Sequence, residues 1–141
     1  METTAAEQPK KRSGLNIFLW FVQGLLAIAF LGAGFMKVST PYEQLVSNPE
    51  AAWVRNFSAG FLKFIGVAEI LGAIGLLVPS LTRIQPRLTP LAAAGLVLIM
   101  MGAAVTHIRQ GESFIPNLVL ATLAVVVIWG RWKKAPIAPR A

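Results

Sequence analysis

The apolar residues of this chain gather in four blocks, Leu15 to Lys37, Ser58 to Val78, Leu88 to Thr106 and Phe114 to Trp132, separated by polar stretches. Each block is close to the roughly 20 residues that a helix needs to cross the hydrocarbon core of a bilayer. No convincing strand pattern occurs, and the glycines within the blocks sit where small residues let membrane helices approach each other. The pattern predicts an all-α chain. Its one domain, residues 15–132, is a polytopic membrane four-helix bundle with helices at about 15–37, 58–78, 88–106 and 114–132.

The polar stretches add detail. The segment Val38 to Phe57 is long enough to carry structure of its own. Asn48-Pro49-Glu50 reads as an N-cap, a proline at the first helical position and an early acid. A short interfacial helix follows from it, with Trp53 and Phe57 on one face. Such a helix could cover the mouth of the bundle or simply lie on the headgroups. The next connection, Pro79 to Arg87, is a basic, proline-punctuated turn, and Ile108 to Pro116 with Gly111-Glu112-Ser113 is a plain turn.

Charge placement orients the bundle. With both termini inside, nine of the thirteen Lys and Arg residues lie on the cytoplasmic side: Lys10, Lys11, Arg12, Arg83, Arg87, Arg131, Lys133, Lys134 and Arg140. Lys37, Arg55, Lys63 and Arg109 lie towards the outer side and share it with Glu43, Glu50 and Glu112. The positive-inside rule therefore gives an N-in, C-in protein of the cytoplasmic membrane, and the net charge of +7 requires no nucleic-acid partner. Residues 1–14 are then a disordered cytoplasmic tail and residues 133–141 a basic cytoplasmic tail. A cleaved signal is the competing reading, since Lys10-Lys11-Arg12 precedes an apolar stretch containing Ala27-Ile28-Ala29. The apolar run goes on to Phe35 and Met36, well past a signal core of about 7–15 residues. Composition agrees with a bilayer: 55% of residues are hydrophobic and 13% charged, about half the charge of a soluble domain.

Against that background an acid within an apolar block stands out. Glu69 lies inside Gly66-Val67-Ala68-Glu69-Ile70-Leu71-Gly72, and a carboxylate at bilayer depth costs on the order of 3 kcal/mol unless paired, protonated or facing water. Lys37 and His107 end two other blocks on the same outer side. Gly34 and Ala33 stand behind Lys37, Ala104 and Ala103 behind His107, and Gly66, Gly72 and Ala73 flank Glu69, so each points towards protein. A cluster of Lys37, Glu69 and His107 is geometrically feasible, either as a ligand site or as an ion pair that locks helix register. Lys63, about 120° around its helix from Glu69, snorkels to the interface. Gln23 and Thr106 read as interhelical hydrogen-bonding groups.

Three segments taken together, Phe30-Leu31-Gly32-Ala33-Gly34-Phe35-Met36-Lys37, the stretch around Glu69, and Pro90 to Gly111 with Thr106-His107-Ile108-Arg109-Gln110-Gly111, resemble successive helices of the DoxX-like family. The resemblance covers roughly residues 15 to 132 and implies a small four-helix membrane protein whose recurring polar positions are Lys37, Glu69 and His107. Relatives in the wider group include membrane subunits of an archaeal thiosulfate:quinone oxidoreductase, so the resemblance implies a membrane redox setting, with an oxidoreductase subunit as partner, rather than a defined reaction.

The residues themselves remove several chemistries. Without cysteine there is no thiol nucleophile, disulfide exchange or iron–sulfur cluster in this chain. One His cannot give bis-imidazole haem ligation, and one His with one buried Glu makes a poor metal site. Redox work would need a bound diffusible cofactor such as a quinone. Two functions follow: binding of a small hydrophobic molecule, quinone or lipid, at Lys37, Glu69 and His107, or a non-enzymatic scaffold that uses its small-residue faces to hold partners or a second copy.

Overall fold

The computed structural model describes residues 13–140, and within them every regular element is helical. The N-terminal tail expected at 1–14 falls outside the described residues apart from Ser13 and Gly14, which open the first helix. In chain order the elements are α1 (Ser13–Ser39), α2 (Tyr42–Ser47), a 3₁₀ segment (Pro49–Asn56), α3 (Ala59–Thr82), α4 (Leu88–Gln110) and α5 (Ile115–Trp129). A π-helical turn, Gly130–Lys134, continues α5. Four helices are long and apolar enough to cross a membrane, as the hydrophobic blocks predict. They run alternately up and down, so one end carries the start of α1, the C-terminal segment and the α3–α4 turn. The other end carries the two remaining loops.

Both sides of these helices are apolar. Leu26, Phe30, Leu76, Leu96 and Val127 fill the centre. Ile28, Phe35, Leu71 and Leu98 point outward and are exposed, as lipid-facing positions should be. Lipid tails are as apolar as leucine, so association must come from close packing and hydrogen bonds. The α1–α3 crossing uses both. A Cβ placed on Gly34 would lie 2.6 Å from the Gly66 carbonyl oxygen, and one on Gly66 would lie 2.8 Å from that of Gly34. Only glycine at both positions lets the two backbones touch.

Pro79 does not end α3, although a turn was expected to start there. Proline has no N–H for the carbonyl four residues back, which is Gly75. Thr89 of α4 donates its hydroxyl to that carbonyl at 3.1 Å and accepts from Ser80 at 2.8 Å. The orphan created by proline is thus satisfied by the neighbouring helix, and α3 runs on to Thr82. The chain then turns sharply, with Arg83 and Gln85 in the left-handed region at φ 60° and 50°. The C-terminal segment packs back on this turn: Arg83 Nε donates to the Ala138 carbonyl and the Arg140 N–H to the Arg83 carbonyl, each at 2.9 Å.

At the loop end, the long connection folds into a cap. Asn48 does cap a helical segment, its Oδ1 accepting from the Glu50 N–H at 2.9 Å. That segment is 3₁₀, kinked at Ala51, and a separate one-and-a-half-turn helix, α2, precedes it. Leu45 and Val54 pack on Leu62 of α3 beside Tyr42, Trp53 and Phe57. The Tyr42 hydroxyl fastens the cap by donating to the Phe57 carbonyl.

Candidate functional site

The glycine contact between α1 and α3 positions the first pair of functional groups. Lys37 follows Gly34 by about one turn, and Glu69 follows Gly66 by about one turn. The short crossing distance brings Lys37 Nζ within 2.9 Å of Glu69 Oε1. Glu69 is 2% exposed and Lys37 10%. Two charges held this far from water need each other: removing either leaves the other unpaired at a cost of several kcal/mol. The pair is therefore self-neutral, and its ammonium also lies 5.6 Å from the centre of the Trp53 ring, within cation–π range.

His107 reaches the same place from α4 but does not touch Glu69. Its Nδ1 lies 2.7 Å from Glu112 Oε1. The cause is the end of α4. Gly111 takes φ 73°, its N–H returns to the Ile108 carbonyl and the Glu112 N–H to the His107 carbonyl. This is the Schellman closure that glycine permits, and it folds Glu112 back over the last turn. A carboxylate only accepts, so the shared proton sits on Nδ1 and leaves Nε2 free. The Trp53 ring packs edge-on against the imidazole, centroids 6.0 Å apart. Trp53 thus stands between the Lys37–Glu69 pair and His107, and it comes from the cap.

Together these groups line a cavity of about 490 Å³. Phe30, Ala33, Leu62, Ile99 and Leu120 supply apolar wall, and Lys37, Glu69, His107, Thr106 and Asn117 the polar part. Phe61 and Leu98 line it too and are exposed on the bundle surface, so its opening lies between α3 and α4. Glu69 bonds to Lys37 through Oε1 alone. No buried polar side-chain atom among the described residues lacks a partner, which puts Oε2 on the cavity side. Among the described residues no three His, Asp or Glu side chains gather as a metal site.

Thr106 departs from the interhelical role expected of it, because its hydroxyl donates to the Gly102 carbonyl of its own helix at 3.0 Å. Such back-bonding to the carbonyl four residues earlier is the local alternative always open to a helical threonine. Lys63 reaches the Val38 carbonyl at 3.2 Å from an exposed position.

A second polar centre, at the end where α1 starts, was not foreseen. Arg131 is 4% exposed. Its Nε donates to Gln23 Oε1 at 2.6 Å, and one terminal nitrogen donates to Asn16 Oδ1 at 2.7 Å and the Ala135 carbonyl at 2.8 Å. Gln23 in turn donates to the Leu76 carbonyl of α3 at 2.6 Å, the interhelical role its sequence position suggested. In the sequence Arg131 merges with Lys133 and Lys134 as one more flanking charge. The usable signal lay in α1, where Asn16, Trp20 and Gln23 stand four and three apart on one face. A polar face at a helix start calls for a buried partner, and the guanidinium also stacks over Trp20 at 5.3 Å.

No curated protein and no solved structure matches the chain. A family model does match, over residues 21–130, which takes in α1 from Phe21 onward, the other three long helices and every residue of the cavity. The four apolar helices make this an integral membrane protein, and the chain belongs to the DoxX-like family.

Proposed function

We propose that the cavity beside Lys37, Glu69 and His107 binds one small hydrophobic molecule with a polar head, a quinone or a lipid. The observation that carries this reading is the convergence of unused hydrogen-bonding atoms, Glu69 Oε2 and His107 Nε2, on an apolar-walled space of about 490 Å³. That volume falls in the range of roughly 300–1,000 Å³ usual for small-molecule sites. An opening between α3 and α4 would admit such a molecule sideways from the bilayer. With its proton on Nδ1, neutral His107 offers Nε2 as an acceptor, as Glu69 does Oε2, so the two atoms suit the hydroxyls of a quinol or of a lipid head and could take up protons as a quinol is oxidised; a bound quinone would supply electron chemistry that no side chain here offers. The chain would hold its protons at His107 and Glu69, orient the ring against Trp53 and keep water out. The scaffold alternative offers no reason for polar groups to border a cavity.

The same proposal sets the protein in the cytoplasmic membrane with both termini inside, since the Arg-rich end is the one that should face the cytoplasm. A quinone in this site would place it in a membrane redox setting, beside an oxidoreductase subunit.

Native mass spectrometry with lipid-extract analysis tests the reading on protein gently purified from its own membranes, comparing wild type with Glu69→Gln. One quinone or lipid per chain is the expected result, lost both in Glu69→Gln, which strands Lys37, and in Lys37→Met/Glu69→Leu, which leaves no orphan charge and so separates loss of the ligand from loss of stability. An empty wild-type cavity, or the same ligand held equally by Glu69→Gln, would refute it.

A further inference from the structure

The end of the bundle where α1 starts contains a second cavity, about 630 Å³, between the α3–α4 turn and the C-terminal segment. Arg83, Arg87, Arg131 and Arg140 all line it, and among the described residues no acidic one does. From this geometry we infer that the groove binds the phosphate of an anionic membrane lipid.

Arg131 gives the strongest reason. It is buried and donates several hydrogen bonds, yet every acceptor is neutral: Gln23 Oε1, Asn16 Oδ1 and the carbonyls of Ala135 and Asn16. Its hydrogen bonds are answered, but among the described residues its charge is not. The carboxylates among the described residues belong to Glu43 and Glu50 in the cap, Glu69 beside Lys37, and Glu112 on His107, all towards the other end. Residues 1–12 carry Glu2 and Glu7 but also Lys10, Lys11 and Arg12, so that stretch of sequence is itself net positive. A buried cation without a counter-charge is costly, and an anion in the groove would relieve it.

The remaining walls suit a phosphate. Arg83 is fixed through its Nε on the Ala138 carbonyl, which leaves its terminal nitrogens to face outward. Arg87 and Arg140 are exposed and their side chains bond to no described residue. Guanidinium groups present paired donors that match phosphate oxygens. The position selects a lipid: the groove sits where three membrane-spanning helices end, beside the half-exposed indole of Trp132, at the depth where aromatic rings meet headgroups. Basic pockets between helix ends on the cytoplasmic side are typical anionic-lipid sites.

The test uses full-length protein in neutral detergent, titrated with phosphatidylglycerol or phosphatidylcholine and read by native mass spectrometry. One phosphatidylglycerol should bind in preference to phosphatidylcholine. In the double variant Arg87→Gln/Arg140→Gln its apparent Kd should rise roughly thirty-fold, at about five-fold per surface arginine, with unfolding temperature in detergent alone unchanged. Equal retention of the two lipids, or an unchanged Kd in the variant, would overturn the proposal. Inorganic phosphate held as tightly as phosphatidylglycerol would overturn its lipid assignment in favour of a free anion. These arginines lie at the opposite end from Lys37, Glu69 and His107, so the result is independent of the ligand cavity.

Discussion

The two ends of the bundle solve the problem of buried polarity in opposite ways. At the loop end, Lys37 and Glu69 cancel in charge, while Glu69 Oε2 and His107 Nε2 keep hydrogen-bonding capacity directed at a cavity. At the other end, Arg131 spends its donors on Gln23, Asn16 and Ala135, while among the described residues its charge has no partner. Left-over hydrogen-bonding capacity asks for the polar head of a neutral molecule; left-over charge asks for an anion. Counting charges alone, or hydrogen bonds alone, would have found only one of these two sites.

Single and paired substitutions can break this contrast. Lys37→Met should have the largest effect, about 3 kcal/mol of lost stability, because it strands the Glu69 carboxylate. Lys37→Met with Glu69→Leu should recover most of that, as a self-neutral pair removed whole leaves no orphan charge. Unfolding in mixed detergent measures both, and failure of the double variant to recover would mean that the pair contributes something other than mutual neutralisation. Arg131→Met should cost about 2 kcal/mol by leaving Gln23 and Asn16 with unanswered acceptors. Here removal of the partner should not help: Gln23→Leu added to Arg131→Met also frees the Leu76 carbonyl, so the double variant is expected to be no more stable than the single one. The smallest effect belongs to Glu112→Gln, about 0.5 kcal/mol, since the His107–Glu112 contact is partly exposed. What that change should alter is the imidazole, whose Nδ1–H would lose its anionic partner, and nitrogen NMR of the single His would show whether the proton still resides there.

The sequence made different parts of this picture legible for different reasons. Four helices could be read because a bilayer demands long apolar runs, and the Lys37–Glu69 pair because ionisable residues inside such runs have few permitted neighbours. The partner of His107 could not be read from residue type: it depends on the left-handed turn at Gly111, which directs the next side chain back over the helix. Arg131 was hidden for the opposite reason. It stands among other basic residues at a helix end, where positive charge is expected, and only the π-helical turn buries it while Lys133 and Lys134 stay exposed. Trp53 was placed on the correct segment, yet its packing between two functional groups depends on how the cap docks, which no local pattern encodes.

The backbone contact of Gly34 with Gly66 also has a mechanical meaning. It acts as the fulcrum of the α1–α3 crossing, and Lys37 lies only three residues along, a lever arm of about 4.5 Å. Gln23 lies eleven residues the other way, an arm of about 16 Å. A change of about 10° in crossing angle would move the Lys37 backbone by about 0.8 Å and that of Gln23 by nearly 3 Å, by the same helical rise. The ion pair beside the cavity is thus nearly insensitive to rocking of these two helices, and any such motion would be felt first where Gln23 meets Leu76 and Arg131.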